Sequence, residues 1–331
     1  MSIGVAIVGC GLIGQKRAKA LGPAQLVACA DAIPERAQAL AQAHPSAVAH
    51  AAWRSAITAP GVAIVIVSTL HDSLAEITAA AVAAGKHVLV EKPAARRASE
   101  IEPLIAPVHS GGPKVRVGFN HRYHRALRKA RELVASGALG DLMFVRGRYG
   151  HGGRIGYDKE WRADPRRSGG GELIDQGPHL IDLARSFLGE FQTVEGHAST
   201  YFWNMPVDDN AFLLLRTATD RTAFLHVSCT EWKNTFSFEI YGREGKIDIS
   251  GLGGSYGPER LTHYRMLPEM GPPETTAWEY PMTDDSWQVE FAEFLDDIRF
   301  DRQPAAGLKD AVASLKIIER IYELSGYDHH A

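Results

Sequence analysis

The opening of the chain constrains its fold more than any other part. An apolar run, IGVAIVG (3–9), passes directly into GCGLIG, where Gly9, Gly11 and Gly14 fit G-x-G-x-x-G. A helix-like segment follows as far as Gly22-Pro23, and a second apolar run, QLVACAD (25–31), ends on Asp31, seventeen residues beyond Gly14. The glycine pattern is weak alone. Placed after a strand, opening a helix and followed by an acidic residue at the end of the next strand, it is the dinucleotide-binding fingerprint. Gly9 permits the tight turn, and Gly11 lets a pyrophosphate approach the helix N-terminus, where free N–H groups favour phosphate. Gly14 lets the helix pack on the strand. The Asp31 carboxylate can accept from a ribose 2′-hydroxyl but would repel a 2′-phosphate, so NAD is expected in preference to NADP. Ala32, Ile33 and Pro34 come next, and Arg36 is near enough to stack on adenine or meet a phosphate.

The alternation continues. A helix from Pro34, the short AVAH, then VAIVIVS (62–68), SLAEITAAAVAAG, HVLV (87–90), IEPLIAPVH and KVRVGFN (114–120) follow in order. Continuous apolar strands separated by amphipathic helices predict an α/β, doubly wound parallel sheet covered on both faces. Ligands bind such sheets beyond the carboxyl ends of the strands. HVLV ends in Glu91, Lys92 and Pro93, which places a lysine where a nicotinamide would lie. Proline there would hold the ammonium toward the cleft, with a cis bond costing only ~0.5–1 kcal/mol. A strand-end lysine reaching solvent would read the same way.

From about residue 141 the chain changes character. Long alternating runs, NAFLLLRTATD, RTAFLHVSCTEW, FSFEIYG and KIDISG, are joined by TATDRT and GREG, which read as hairpin turns. These predict a second domain with a large, open, mostly antiparallel sheet and helices on one face. A length of 331 residues suits two domains, 1–121 and 122–331. Patterns at 287–300 and 308–325 predict late helices packing back toward the first domain. FLLLR is apolar on both faces, so the sheet is expected to pair in a homo-dimer or homo-tetramer. GLGGSYG (251–257) reads as a loop.

The formal net charge of −3 gives no reason to expect nucleic acid or an anionic membrane as partner. No apolar run reaches the ~18–20 residues of a membrane span. Cys10, Cys29 and Cys229 sit inside apolar runs without C-x-x-C spacing, as reduced buried thiols do. With no signal-peptide pattern at the start, a cytoplasmic location is expected. The terminal DHHA reads as frayed histidines, and with no H-E-x-x-H and no cysteine cluster no metal is expected.

A second chemical stretch is SGGGELIDQGPHLIDLARSFLGE (168–190). If helical, it stands Asp175 and His179 four apart on one face, with Asp182 a turn further. Histidine with a carboxylate partner suits a general acid or base near neutral pH, although a surface i,i+4 pair has the same spacing. The three glycines let another backbone or a ligand come close. Pro178 implies that the helix starts there or is kinked there. The irregular segment 154–171 before it offers Lys159, Trp161 and Arg162 as substrate contacts, with Tyr149 and His151 just upstream. An aromatic face suits a sugar ring, and Arg162, Arg166 and Arg167 leave room for an acidic substrate.

Taken in order, GCGLIG, EKP, GFNHRY, GGGELIDQGPHLID and FEIYGREGKI resemble the Gfo/Idh/MocA family, typified by glucose–fructose oxidoreductase and inositol dehydrogenase, over essentially the whole chain. The resemblance implies a Rossmann domain, a C-terminal domain on an open sheet and oligomerisation through that sheet. It implies NAD(P)-dependent hydride transfer at a carbinol of a sugar, polyol or sugar nucleotide. Lys92 would then bond the reacting hydroxyl and the nicotinamide ribose, Asp175 orient the substrate and His179 accept the proton. The candidate cofactor contacts are Gly9, Gly11, Leu12, Ile13, Gly14, Asp31, Arg36, Ser68, Thr69, His71, Glu91, Lys92 and Asn120. The substrate contacts are Lys92, Tyr149, Lys159, Trp161, Arg162, Asp175 and His179. Two other readings keep the same cofactor domain: an NAD-retaining glycosidase with transient redox chemistry, and a cofactor-sensing regulator.

Overall fold

A computed structural model describes residues 3–109 and 111–327; the terminal DHHA lies outside them. The chain divides into two compact units, Met1–Phe119 with Trp287–Leu315, and Asn120–Ser286 with Lys316–Ala331.

The first unit holds β1 (Gly4–Val8), β2 (Gln25–Ala30), β3 (Val48–His50), β4 (Val62–Val67), β5 (His87–Glu91) and β6 (Val115–Gly118) in the order β3-β2-β1-β4-β5-β6. Every neighbouring pair is parallel. Its helices are α1 (Leu12–Lys19), α2 (Pro34–Gln42), α3 (Trp53–Ile57), α4 (His71–Ala83), α5 (Ala98–Ile101) and α6 (Ile105–His109). Apolar residues run through β1 and β4 without alternation because both faces are covered. On one face Ile7, Ile64, Ile66 and Leu89 pack with Phe291 and Phe294 of a late helix, α10 (Ser286–Arg299). Strand order reverses between β1 and β4, which opens the crevice where such sheets bind nucleotides.

The second unit has α7 (Arg125–Ala135), α8 (Pro165–Ser168) and α9 (Glu172–Leu188). Its strands are β7 (Leu142–Gly150), β8 (Phe191–Ser199), β9 (Asn210–Thr217), β10 (Thr222–Ser228), β11 (Thr235–Gly242), β12 (Gly245–Ser250), β13 (Glu259–Arg265) and β14 (Glu274–Tyr280). The sheet order is β14-β13-β12-β11-β7-β10-β9-β8. All pairs are antiparallel except β7 with β10. TATDRT and GREG are hairpin turns, joining β9 to β10 and β11 to β12. Three strands, β8, β13 and β14, carry no clear apolar alternation and were not predicted; β14 is a largely exposed edge strand.

Helix α9 covers one face of this sheet. Side chains of Leu180, Leu225 and Phe238 close around Gly147 of β7, where an added Cβ would meet them at 3.1–3.3 Å. The helix begins at Glu172 and runs through Pro178, which excludes the first of the two alternatives, a helix starting at that proline. Proline inside a helix forfeits a hydrogen bond at ~3 kcal/mol. Burial of fourteen of its seventeen residues offsets that cost. The last helix, α11, spans Leu308–Ser325, and no described helix is long and apolar enough to cross a membrane.

Candidate active site

The glycine-rich turn has the shape that a dinucleotide needs. Gly9 takes φ +93°, and a Cβ on it would lie 2.4 Å from the Ser68 carbonyl oxygen; one on Gly14 would lie 2.0 Å from the Gly9 oxygen. The loop and the end of β4 are therefore pressed together, and the Ser68 hydroxyl donates to the Gly9 carbonyl at 2.7 Å. Gly11 differs: a Cβ there would meet only the Arg36 guanidinium, at 3.9 Å. The space ahead of the α1 N-terminus is open, and no acidic residue stands in the helix's first turn, so a pyrophosphate fits. Leu12 is exposed at the same end, beside partly buried Ile13. Asp31 accepts from the Cys10 N–H at 2.6 Å and from the Ile33 N–H at 2.8 Å, which fixes its carboxylate at the rim. Thr69 and buried His71 continue from β4 into α4.

The end of β5 accounts for its unusual composition. Glu91 is not a stray charge: its Oε1 accepts from Arg17 Nε of α1 at 2.6 Å, deep in the unit. Pro93 follows through a cis bond, and the Ala94 N–H closes a turn on the Glu91 carbonyl at 2.9 Å. Ala94 sits at φ +76°, a left-handed conformation unusual for a residue with a Cβ. Between these fixed points Lys92 is half-buried at the carboxyl edge of the sheet.

In the second unit, Asp175 and His179 lie on one face of α9, both buried. Arg162 Nε donates to Asp175 Oδ2 at 2.8 Å, and this contact raises the already high Arg162 pKa further. The Arg162 guanidinium lies 4.6 Å from the Trp161 ring centroid. Lys159 stays at an exposed position in the same loop. Tyr149 of β7 places its ring 6.0 Å from that of His179. Burial, then the neighbouring Tyr256, pushes the Tyr149 hydroxyl well above its ordinary pKa, so it is a neutral donor. Burial also lowers the His151 pKa, and its Nε2 lies 3.4 Å from Glu172 Oε1. Asn120 donates to the Ser286 hydroxyl at 3.0 Å.

His121 was not singled out in the sequence. It stacks on His179 with ring centroids 3.8 Å apart and planes 10° from parallel. Arg122 holds this segment to α9, with Nε donating to Asp182 Oδ2 at 2.7 Å. Asp182 is thus a structural partner of the helix. No spacing rule joins these residues.

Asp208 is a second residue without a local signature. It is fully buried and caps the start of α9, accepting from the Gly171 N–H at 2.9 Å, the Leu173 N–H at 2.7 Å and the Tyr322 hydroxyl at 2.6 Å. A Cβ on Gly171 would lie 1.9 Å from the Asp208 carbonyl oxygen, and one on Gly170 would lie 2.2 Å from the Tyr322 hydroxyl. That close approach explains these two glycines. Burial pushes the Asp208 carboxyl up to about 6 despite the three donors, against ~3.9 when unfolded. The folded state therefore holds the proton more tightly, so this stabilisation is complete below ~4 and is lost as pH rises through ~6. The advantage of wild type over Asp208→Asn should accordingly shrink by about 3 kcal/mol between pH ~4 and ~7.5. Denaturation midpoints at both pH values check this, and a constant difference would mean that Asp208 ionises as an ordinary carboxylate.

Two family models match along this architecture. Residues 3–119 match an oxidoreductase family described as an NAD-binding Rossmann fold, and residues 127–248 match the GFO/IDH/MocA C-terminal domain. Levoglucosan dehydrogenase of Pseudarthrobacter phenanthrenivorans is 28% identical over 293 residues, covering 74% of this chain and 73% of its own. Inositol 2-dehydrogenase of Rhizobium meliloti is 26% identical over 269 residues, covering 78% and 76%. A solved levoglucosan dehydrogenase in complex with NADH and levoglucosan has the same fold, with TM-score 0.88 and 23% identity over 98% of this chain and 97% of that one. The chain is an NAD-binding oxidoreductase of the Gfo/Idh/MocA family.

Proposed function

We propose that this protein oxidises a carbinol of an uncharged sugar or polyol, with Lys92, Asp175 and His179 acting on one substrate. Bound NAD supplies the acceptor for the hydride leaving the substrate carbon. His179 takes the hydroxyl proton as the C–O bond becomes a carbonyl. The Lys92 ammonium stabilises the negative charge growing on that oxygen. Asp175 accepts from a neighbouring hydroxyl and so selects which carbon is presented. In the reverse direction the same residues return the proton.

The observation that carries the substrate class is the pairing of the loop arginines. Arg162 is held by Asp175, and Arg154 Nε donates to Glu160 at 2.8 Å. The charges of these two arginines are compensated, which makes them poorer partners for a nucleotide or phosphate group. The half-buried Trp161 offers an aromatic face that suits a sugar ring. Relatives named for levoglucosan and inositol point to the same chemistry.

The test is formation of reduced nicotinamide by purified protein with inositols, anhydrosugars, aldoses, sugar acids and nucleotide sugars, each run with NAD and with NADP. Turnover of uncharged substrates with NAD, and Asp31-based rejection of NADP, is the expected result. Turnover confined to the acidic substrates would overturn the substrate class.

We also propose self-association through the sheet face opposite α9. Phe212, Leu214 and Phe224 are exposed there, at 36%, 39% and 49%, as a contiguous apolar face that a soluble single chain rarely leaves uncovered. Light scattering should give a mass two or four times that of the chain; a single-chain mass at micromolar concentration would remove this reading.

A further inference from the structure

We infer that Tyr256, carried by the glycine-rich loop 251–257, is a specificity-determining residue that gives its phenolic proton to a substrate hydroxyl other than the one that reacts. The inference deepens the proposed function and rests on that reading. It makes the substrate a polyhydroxylated ring, recognised at a hydroxyl beyond the reacting carbinol.

The loop is built to present one side chain. Strands β12 and β13 are antiparallel, with Ser250 opposite Arg260, and a two-residue turn can join such a pair. Here the chain makes a small closed ring instead. The Gly253 N–H donates to the Gly257 carbonyl at 2.8 Å, and the Tyr256 N–H to the Gly253 carbonyl at 3.1 Å. Gly251 turns the chain at φ +75°, where a Cβ would lie 2.2 Å from the Pro258 carbonyl oxygen. Buried Leu252 anchors the ring, and Asn234 Nδ2 donates to Ser255 Oγ at 2.6 Å. Tyr256 is the one aromatic residue of GLGGSYG and is half-buried. This anchoring fixes the phenol before a ligand arrives, so binding gives up little side-chain freedom.

Its surroundings decide its role. The Tyr256 ring lies 5.5 Å from that of Tyr149, which in turn lies 6.0 Å from that of His179. Tyr149 is thus the shared neighbour of Tyr256 and the proposed base. Burial raises the Tyr256 pKa, Tyr149 partly opposes the rise, and Glu172 and Asp175 add to it. The hydroxyl is therefore neutral and keeps a proton to donate. Asp175, held by Arg162, offers acceptor oxygens, and Tyr256 supplies the complementary donor. Hydroxyls of a sugar or cyclitol both give and accept, so one can give to Asp175 while a further one accepts from Tyr256. An alcohol with no further hydroxyl leaves the phenol without that partner and binds less well. Pinning the loop does not call for the phenolic oxygen, because Leu252 and the backbone ring already do so.

Tyr256→Phe tests this, since it keeps the ring against Tyr149 and removes the hydroxyl alone. Its melting temperature should stay within about 2 °C of wild type. With NAD saturating, wild type should use the better of myo-inositol and levoglucosan at least about tenfold more efficiently than trans-cyclohexane-1,2-diol, which has no further hydroxyl. Tyr256→Phe should lower kcat/KM for that polyol about tenfold, through KM with kcat within about twofold, and for the diol by less than about threefold. An equal loss on polyol and diol is what a merely structural tyrosine would give, and it would overturn the inference, as would no loss at all. Calorimetry of the same compounds on protein saturated with NADH adds a readout without turnover. Weaker polyol binding to Tyr256→Phe, in a protein that oxidises neither polyol, would leave the inference standing and remove the dehydrogenase reading. Oxidation of either polyol with the same constants in both proteins would keep the dehydrogenase reading and remove the inference. A wild type that neither binds nor oxidises any of the three would remove it too.

Discussion

Replacing Lys92 by methionine is expected to lower kcat by about two to three orders of magnitude while NAD affinity stays within about threefold. As hydride leaves the carbon, charge builds on the oxygen, and a half-buried ammonium positioned before the reaction stabilises that charge without reorganising. Methionine keeps the length and the apolar stem but removes the charge. The turn around residue 92 is held by the Glu91–Arg17 contact and the Ala94 N–H bond to the Glu91 carbonyl, so the substitution should leave the fold intact. His179→Asn should cost about two to four orders of magnitude, as loss of a general base does. Its effect should ease at high pH, where hydroxide competes as the base, while that of Lys92→Met should not. Stopped-flow rates with NAD held saturating, beside calorimetric NAD binding, separate the outcomes. Collapse of NAD binding with normal turnover at saturation would move Lys92 out of the chemistry.

These residues were readable in the sequence for a local reason. Gly9, Gly11, Gly14 and Asp31 act through one turn and the strand end beside it, so spacing along the chain is nearly spacing in space. The strands of the first sheet were equally plain, because burial on both faces leaves an unbroken apolar run such as VAIVIV in β4. Strand β14 was hidden for the opposite reason. ETTAWEY lies at a sheet edge with most residues exposed, so nothing in it requires alternation. Pro178 left two readings open, a helix start or an interior proline, because the penalty that holds for isolated helices yields when tertiary burial is extensive. His121 and Asp208 were invisible because their partners, His179 and Gly171, are distant in sequence and carry no shared pattern. Chemistry made by one segment could be read; chemistry made by two segments meeting needed the fold.

Arg17→Met should destabilise the protein by about 3–5 kcal/mol, the cost of leaving buried charge uncompensated. Arg17 is 1% exposed and bridges Glu91 and Glu290, which are 8% and 0% exposed; its Nη1 lies 2.5 Å from Glu290 Oε2. Without the guanidinium, two carboxylates share an apolar interior, and burial already raises the Glu290 pKa even with Arg17 beside it. Glu290 would then take up a proton in the folded state still more readily than when unfolded. Stability lost this way is present at low pH and disappears as pH rises through the raised value, so the deficit of Arg17→Met should narrow on acidification. Arg17→Met combined with Glu290→Leu should recover part of the loss at neutral pH, since an apolar replacement of a buried ion group is often tolerated. Chemical denaturation of the two variants at acidic and neutral pH measures each quantity. A cost below about 1 kcal/mol would mean that the ions are hydrated after all. Glu91 would then lose its explanation as the anchor that ties the Lys92 turn to the helix of the glycine-rich loop. A full cost accompanied by a fall in kcat at unchanged NAD affinity would show that this anchor positions the lysine as well as stabilising the fold.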